Sequence, residues 1–310
     1  MLISFVIPAF NAAQTIERTL TSVFVPTLPA NWALEALVVD DGSSDGEVLA
    51  EIVSQYAGAR LLQHESNRGM CAGRNTGIAA SKGDVVTILD ADDEMVPDWP
   101  TALAAILDEW PADVQLCYAA CKNSEGKITA TNPDYRGLLT LNDVLNERHS
   151  GEYLPLFRGE YVRRKPYVDL GMRKSCGIVS YISYSLDGAF WVSPQVLRIY
   201  HDDRADSVTA AWTSPKKAKE TAECYAALFD RFEHLYRREA PRVYRTKRLR
   251  YAVYLRLAGL SGAWRAWIGG SSLTCLKESI GAALILAVGP KLGGWFAKVA
   301  KQRGLIRRYG

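Results

Sequence analysis

Several familiar signatures are missing from this 310-residue chain. No Gly-x-Gly-x-x-Gly follows its first apolar run and no Gly-Lys-Ser/Thr loop occurs, so dinucleotide oxidoreductases and P-loop enzymes lose their main support. Six cysteines, at 71, 117, 121, 176, 224 and 275, form no Cys-x-x-Cys pair. Neither a zinc site nor a disulfide framework is indicated, and the thiols are expected to be reduced and mostly buried. The N-terminus enters an apolar pattern, Leu2-Ile3-Ser4-Phe5-Val6-Ile7, with no basic region or cleavage site ahead of it. No secretory signal is expected, which points to the cytoplasm. The most apolar late stretch, Ile280 to Val288, falls short of the ~20 residues that a spanning helix needs. Internal repeats and low-complexity tracts are absent.

What is present supports a real core. Hydrophobic residues make up 48% of the chain, and the length suits one large α/β domain with an appendage or two small domains. The net charge of +3 hides an asymmetry. Residues 1–212 carry 17 Lys and Arg against 28 Asp and Glu, whereas 213–310 carry 20 against 6. Such a split suggests that the C-terminal third faces an anionic partner, either a membrane surface or nucleic acid.

The first hundred residues alternate apolar runs with amphipathic segments. Strands are predicted at 2–7, 35–39, 60–63 and 84–89, with helices near 13–24, 45–56 and 70–81. This alternation implies parallel strands with crossover helices on both faces of an open sheet. The pattern is less regular from 98 to 212, where a helix near 98–109 and strands at 113–120 and 189–193 are predicted. Beyond 213 it is helical, with breaks at Pro241, Gly269-Gly270 and Pro290.

Polar clusters fall at the carboxyl ends of the predicted strands, where ligands of such sheets bind. Asp40-Asp41-Gly42-Ser43 follows Ala36-Leu37-Val38-Val39; the glycine permits a turn, and an ordinary turn competes with a binding site there. Asp90-Ala91-Asp92-Asp93 follows Val85 to Leu89. Three carboxylates this close repel one another unless a cation or hydrogen-bond donors neutralise them. Mn²⁺ or Mg²⁺ fits, because such hard ions bind through one or two carboxylates plus substrate phosphates. The competing reading is a solvated acidic turn. Between the clusters, Asn67-Arg68-Gly69 and Ala72-Gly73-Arg74-Asn75-Thr76-Gly77 offer backbone and guanidinium groups to a phosphate or base, or else form a helix start with small residues for close packing.

Taken in order, Phe5-Val6-Ile7-Pro8-Ala9-Phe10-Asn11, Val38-Val39-Asp40-Asp41-Gly42-Ser43-Ser44-Asp45, the Asn67 to Gly77 segment and Leu89-Asp90-Ala91-Asp92-Asp93 resemble a family 2 glycosyltransferase of the GT-A fold. The resemblance implies an α/β, Rossmann-like, mostly parallel sheet with helices on both faces and a C-terminal helical extension. Residues 1–97 would form the nucleotide-sugar half, 98–212 the acceptor half and 213–310 a basic helical region. It further implies inverting transfer from a nucleotide-sugar, often UDP-linked. Pro8, Ala9, Phe10 and Asn11 would contact the nucleoside through the backbone. Asp41 would hydrogen-bond the base with Asp40 beside it, and Arg74, flanked by Arg68 and Asn75, would reach the base or phosphates. Asp90 and Ala91 would lie near the ribose or sugar, and Asp92 would hold the metal.

Inversion needs a base to deprotonate the acceptor hydroxyl. The family places an acidic pair at a helix start downstream, whereas this chain has Lys174-Ser175-Cys176-Gly177-Ile178 there. Glu160, Asp169 and Asp187 remain as candidates, Asp187 first, each competing with a surface or ion-paired role. His201, in a segment resembling the family's loop over the diphosphate, is a candidate for the metal or phosphates, or equally a surface hydrogen-bonding residue. Basic residues interleaved with aromatics across 237–310 suggest helices on an anionic membrane surface; a helical bundle with a solvated basic face competes, and no nucleic-acid module is recognisable. The expected protein is a cytoplasmic transferase, peripheral on the inner face of the plasma membrane, acting on a glycan or lipid-linked acceptor in surface polysaccharide assembly. A nucleotidyltransferase and a catalytically degenerate sugar-nucleotide-binding scaffold are the rivals.

Overall fold

A computed structural model describes residues 1–173, 176–201 and 213–302. The chain divides into two compact units, one of residues 1–144 and 148–204, the other of residues 145–147 and 205–310.

The first unit opens with the alternation read from the sequence: β1 (Leu2–Ala9), α1 (Ile16–Phe24), β2 (Ala33–Asp40), α2 (Gly46–Ser54), β3 (Ala59–Gln63), α3 (Met70–Ala80) and β4 (Val85–Ile88). These four strands are parallel, in the order β3-β2-β1-β4. Their carboxyl ends therefore share one rim. Then follow β5 (Glu94–Met95), α4 (Trp99–Glu109), β6 (Leu116–Asn123), β7 (Gly137–Leu139), α5 (Leu141–Leu145), β8 (Tyr153–Arg158), α6 (Gly159–Arg164), α7 (Gly177–Ser185) and β9 (Phe190–Tyr200). They extend the sheet as β4-β8-β6-β9, with β8 antiparallel to both neighbours and β6 parallel to β9. The sheet is thus parallel in its first half and mixed in its second. β8 was not predicted; Pro155 in its middle, paired with Tyr118, masks an apolar run that otherwise reads as a buried strand.

Each face of the sheet has its own core. Ile3, Phe5 and Ile7 of β1 pack with Ile16, Leu20 and Val23 of α1, while Val6 on the opposite face packs with Cys71 and Ile78 of α3. The i, i+4, i+7 spacing of the buried α1 residues is the helical stripe that this docking requires. α3 packs differently, through small residues: a Cβ on Gly77 would overlap Val6 Cγ1, and one on Gly73 would lie 3.3 Å from Pro8 Cβ. Its glycines hold the helix against β1 and bring its N-terminus beside the end of that strand. None of the six cysteines forms a disulfide, and five are buried.

The second unit contains α8 (Pro215–Glu239), α9 (Pro241–Leu257), α10 (Ala263–Gly270), a 3₁₀ turn at Leu273–Cys275 and α11 (Leu276–Gln302). Ser214 caps α8 by accepting from the Lys217 N–H, with Pro215 in the first turn. The expected breaks appear: α9 starts at Pro241, α10 ends at Gly270, and α11 has non-helical backbone at Gly289, just before Pro290.

Gly77→Ala should overpack the α3–β1 contact and destabilise the first unit by about 1–3 kcal/mol. Urea unfolding should show a lower midpoint with an unchanged m value.

Candidate functional site

Strand order locates the crevice. From β1 the chain steps outward to β2 and β3, then returns to place β4 on the other side of β1, with α1 and α3 on opposite faces. Open α/β sheets bind ligands in the crevice outside the carboxyl ends of the strands at such a reversal, here those of β1 and β4. Pro8 to Asn11 stand at the end of β1, and Asp90 to Asp92 directly follow β4.

The loops after β1 and β2 are stitched together. Asn11 adopts a left-handed φ of 51°; its N–H donates to Ser43 Oγ (2.9 Å), and its side-chain oxygen accepts from the Ser44 N–H (2.9 Å) and Ser44 Oγ (3.0 Å). Asp45 accepts from the Ala13 N–H at 3.0 Å. Asp40 is buried and closes its own turn by accepting from the Ser43 N–H at 2.9 Å. Asp41, also buried, accepts the Arg68 N–H at 2.9 Å through Oδ1 and the Gly69 N–H at 2.8 Å through Oδ2, while His64 Nδ1 lies 2.6 Å from Oδ1. The His64 ring is fixed on its far side by Thr76 Oγ1 at 2.8 Å. The carboxylate to which the resemblance gives a base contact is thus engaged on both oxygens, and it clamps the end of β2 to the start of α3. Gly69, at a φ of 95°, is required at that junction, because a Cβ there would strike the Met172 carbonyl.

Around the second cluster the dominant group was not anticipated. Arg198 of β9 is buried, and its guanidinium lies 3.2 Å from Asp93 Oδ2, 3.6 Å from Asp90 Oδ2 and 3.4 Å from Glu152 Oε2, with Nε 3.2 Å from Cys121 Sγ. The β6–β9 register shifts twice, at Pro194–Gln195 and again at Leu197, and the second shift leaves both Leu197 and Arg198 buried, where a regular strand would turn one outward. Burial pushes the Asp93 carboxyl up; Arg198 pulls it back, and Asp90 and Asp92 raise it further. Burial disfavours the charged Arg198, yet Cys121 and the surrounding carboxylates more than compensate, so its net shift is upward. On the other flank Arg74 is 3.5 Å from Asp90 Oδ1, with its guanidinium over the Tyr167 ring.

His201 joins this turn. Its N–H donates to Asp93 Oδ1 at 2.9 Å and its Nε2 lies 2.7 Å from Glu94 Oε1, which also pairs with Arg18 at 3.3 Å. A carboxylate on one ring nitrogen is the arrangement that orients a histidine whose other nitrogen binds a metal. Among the described residues no three His, Cys, Asp or Glu side chains form a ready metal cage. The half-buried Asp90 and Asp92 still suit Mg²⁺ or Mn²⁺, which complete their shells with phosphates and water.

Other candidates lie elsewhere. Asn75 is locked in two hydrogen bonds with the Tyr167 backbone, both 2.9 Å. Arg68 is exposed and meets the cluster through its N–H. Asp169 closes a local turn with the Gly171 N–H. Glu160 and Asp187 are at the wrong end of the sheet. Arg158 pairs with Val85, and Trp191 with Cys117, so Glu160 and Asp187 stand level with the start of β4, about 16 Å of strand from Asp90. Asp187 is also held by Tyr161 and Lys165; burial raises its carboxyl, but these hydrogen bonds bring it below its ordinary value. Met172 and Arg173 dock at Gly69, and Cys176-Gly177 at the start of α7 supply no acid. A carboxylate that was missed does stand at the rim. Continuing the β4–β8 register sets Glu152 level with Ala91.

Asp41→Asn should lower the unfolding midpoint with no nucleotide present, by about 1–3 kcal/mol, since the amide cannot accept both backbone donors. A base contact alone would leave that midpoint unchanged.

The proteins similar to this chain include two relatives and one solved structure. Over 151 residues it is 33% identical to the "Uncharacterized glycosyltransferase YibD" of Escherichia coli (strain K12), covering 46% of this chain and 42% of that protein. Over 92 residues it is 36% identical to the "UDP-Glc:alpha-D-GlcNAc-diphosphoundecaprenol beta-1,3-glucosyltransferase WfgD" of Escherichia coli, covering 30% and 35%. The matches thus span less than half the length of either relative. The fold is shared with S. aureus TarS 1–349, solved in complex with UDP-GlcNAc, at a TM-score of 0.60 and 16% identity, over 91% of this chain and 79% of that one. Glycosyl transferase family 2 has a model that matches residues 4–163, just over half of the sequence, and the chain belongs to that family.

Proposed function

We propose that the chain is an inverting, metal-dependent glycosyltransferase that moves a sugar from a UDP-linked donor to a glycan or lipid-linked acceptor of a surface polysaccharide, at the cytoplasmic face of the membrane. One observation carries this reading: Arg74 lies 3.5 Å from Asp90 at the carboxyl end of β4, two residues before the half-buried Asp92, which puts a cation beside candidate metal ligands as a diphosphate requires. The UDP-glucose and diphosphoundecaprenol in the name of the WfgD relative, and the UDP-GlcNAc bound to TarS, favour the donor and acceptor classes.

The roles follow from position. Asp92, with Asp90 and His201 beside it, would hold Mn²⁺ or Mg²⁺. The ion supplies neutralisation of the charge that builds on the leaving diphosphate. Arg74 adds a fixed guanidinium on the same side, and the backbone of Pro8 to Asn11 takes the nucleoside. With Glu160 and Asp187 far from the rim, we assign the acceptor proton to Glu152, which is half-exposed and level with the Asp90–Asp92 turn. Its carboxylate would accept the hydroxyl proton as the oxygen attacks, with Arg198 fixing its orientation. The lack of an acidic pair at the start of α7 supports a second reading, a degenerate domain that binds a sugar nucleotide without turnover.

UDP-sugars with Mn²⁺ should raise the melting temperature, and Asp92→Asn should abolish the metal-dependent part. Glu152→Gln should cut kcat by about 10²-fold or more, with donor binding intact and the base limb of the pH profile gone. Wild-type donor binding without nucleotide release from any sugar donor would select the degenerate reading instead.

A further inference from the structure

Some of the basic residues from which a membrane contact was read are paired inside the second unit. Arg237 pairs with Glu233 (2.7 Å), Arg238 with Glu239 (2.6 Å) and Lys247 with Glu147, while the Arg248 guanidinium covers Phe229. An apolar stripe is exposed as well. Leu276, Ile280 and Leu284 follow at i, i+4 and i+8 on α11, and each is more than half exposed. Beyond the break at Gly289, Leu292 and Trp295 are exposed to a similar degree. The inward face of the same helix buries Ala282, Ile285 and Leu286. α11 is therefore apolar on both sides, and only 28% of the Leu273–Pro290 stretch is covered by the protein. A helix of this kind needs a second apolar environment on its outer side.

Three features select a lipid interface over another protein surface. The region from 213 onward carries 20 Lys and Arg against 6 Asp and Glu, complementary to an anionic leaflet. Exposed Arg265 and Lys277 flank the stripe and remain available for headgroups. α10, tied to α11 by Trp267 Nε1–H donating to the Ser279 carbonyl, adds exposed Trp264, an aromatic type that favours the boundary between headgroups and acyl chains. The geometry also excludes a span. By composition Leu273–Pro290 could cross a membrane, but regular α11 runs only from Leu276 to Val288 before Gly289, about 20 Å at 1.5 Å per residue, against a hydrocarbon core of about 30 Å.

We propose that the outer stripe of α11, with α10 beside it, lies in the plane of an anionic bilayer at the boundary between headgroups and acyl chains, and that this stripe anchors the chain at the membrane. The proposal rests on the membrane-surface placement given under Proposed function and assigns it to apolar insertion with basic flanks.

The test uses the full chain with vesicles of phosphatidylcholine alone or mixed with phosphatidylglycerol. Wild type should sediment with the anionic vesicles and stay partly bound at high salt, because apolar insertion is not screened. Trp fluorescence should be quenched by lipids brominated near the headgroup end of the acyl chain. Ile280→Glu with Leu284→Glu, at exposed positions, should keep the melting temperature and the donor-induced shift while vesicle binding falls at least tenfold. Arg265→Glu with Lys277→Glu should lose the preference for anionic lipid. Unchanged binding by the Ile280/Leu284 variant overturns the stripe while leaving membrane placement standing. Failure of wild type to bind either vesicle overturns the placement itself. A wild-type dimer in solution that the same variant converts to a monomer, without vesicle binding, makes the stripe a contact between copies and also overturns the proposal. Transfer to a water-soluble acceptor, measured separately, reports on the catalytic reading independently of all three.

Discussion

The Arg198 guanidinium stands where four chain segments meet: the turn after β4, the end of β6, the start of β8 and its own strand. It is an expensive group to bury, since an ion of this size loses several kcal/mol of hydration, and only good pairing recovers it. Here the pairing is with Asp93, buried, and with Asp90 and Glu152, which reach solvent. Removing the arginine would strand Asp93 in low dielectric next to two further carboxylates. The acidic turn can therefore keep its shape without a cation to hold it together, and its more exposed carboxylates remain presented to the crevice. The strand irregularity at Leu197 is what aims the side chain inward, so a backbone defect and a charge arrangement are one device.

The parallel half of the fold was legible because each of its strands is a continuous buried run followed by an amphipathic helix, a pattern that depends on local spacing alone. Its rim was legible for the same reason: knowing where parallel strands end is knowing where ligands bind. The second half hid behind longer-range facts. β8 carries a proline in mid-strand, and β5 and β7 are too short to show a period. Strand direction then decided the fate of the acids. Asp187 and Glu160 have suitable chemistry and roughly suitable sequence positions, but one precedes a strand that starts at the far edge and the other follows a strand that ends there. Glu152 carried no motif and becomes visible only through the β4–β8 register. Arg198 did leave a trace, a lone charge between Leu197 and Ile199 in an apolar strand, which is the pattern of a buried ion pair.

Two of the motif carboxylates also show how recognition and architecture share residues. Asp40 and Asp41 stand at the carboxyl-end rim of the sheet, and their visible work is on the backbone: one closes a turn, the other grips the start of α3 through two N–H groups. Such anchoring lets loops at a rim hold a ligand-ready shape, since the polar backbone groups they would otherwise leave open are already satisfied. The same holds for Asn11, whose left-handed backbone is tolerated because its side chain is bonded into the neighbouring loop.

The reversed direction of β8 has an evolutionary consequence. Because β6 ends at the rim and β8 begins there, the whole excursion from 124 to 152 leaves from and returns to the same edge of the sheet. Residues can be added to or removed from the stretches of that excursion on either side of β7, which stays paired with β9, without shifting a strand against its neighbour, and loop closure charges little for extra length. A chain of this topology can thereby vary the loops at that end of the sheet while β1 to β4 keep their register, which is a structural route to different surfaces on one scaffold.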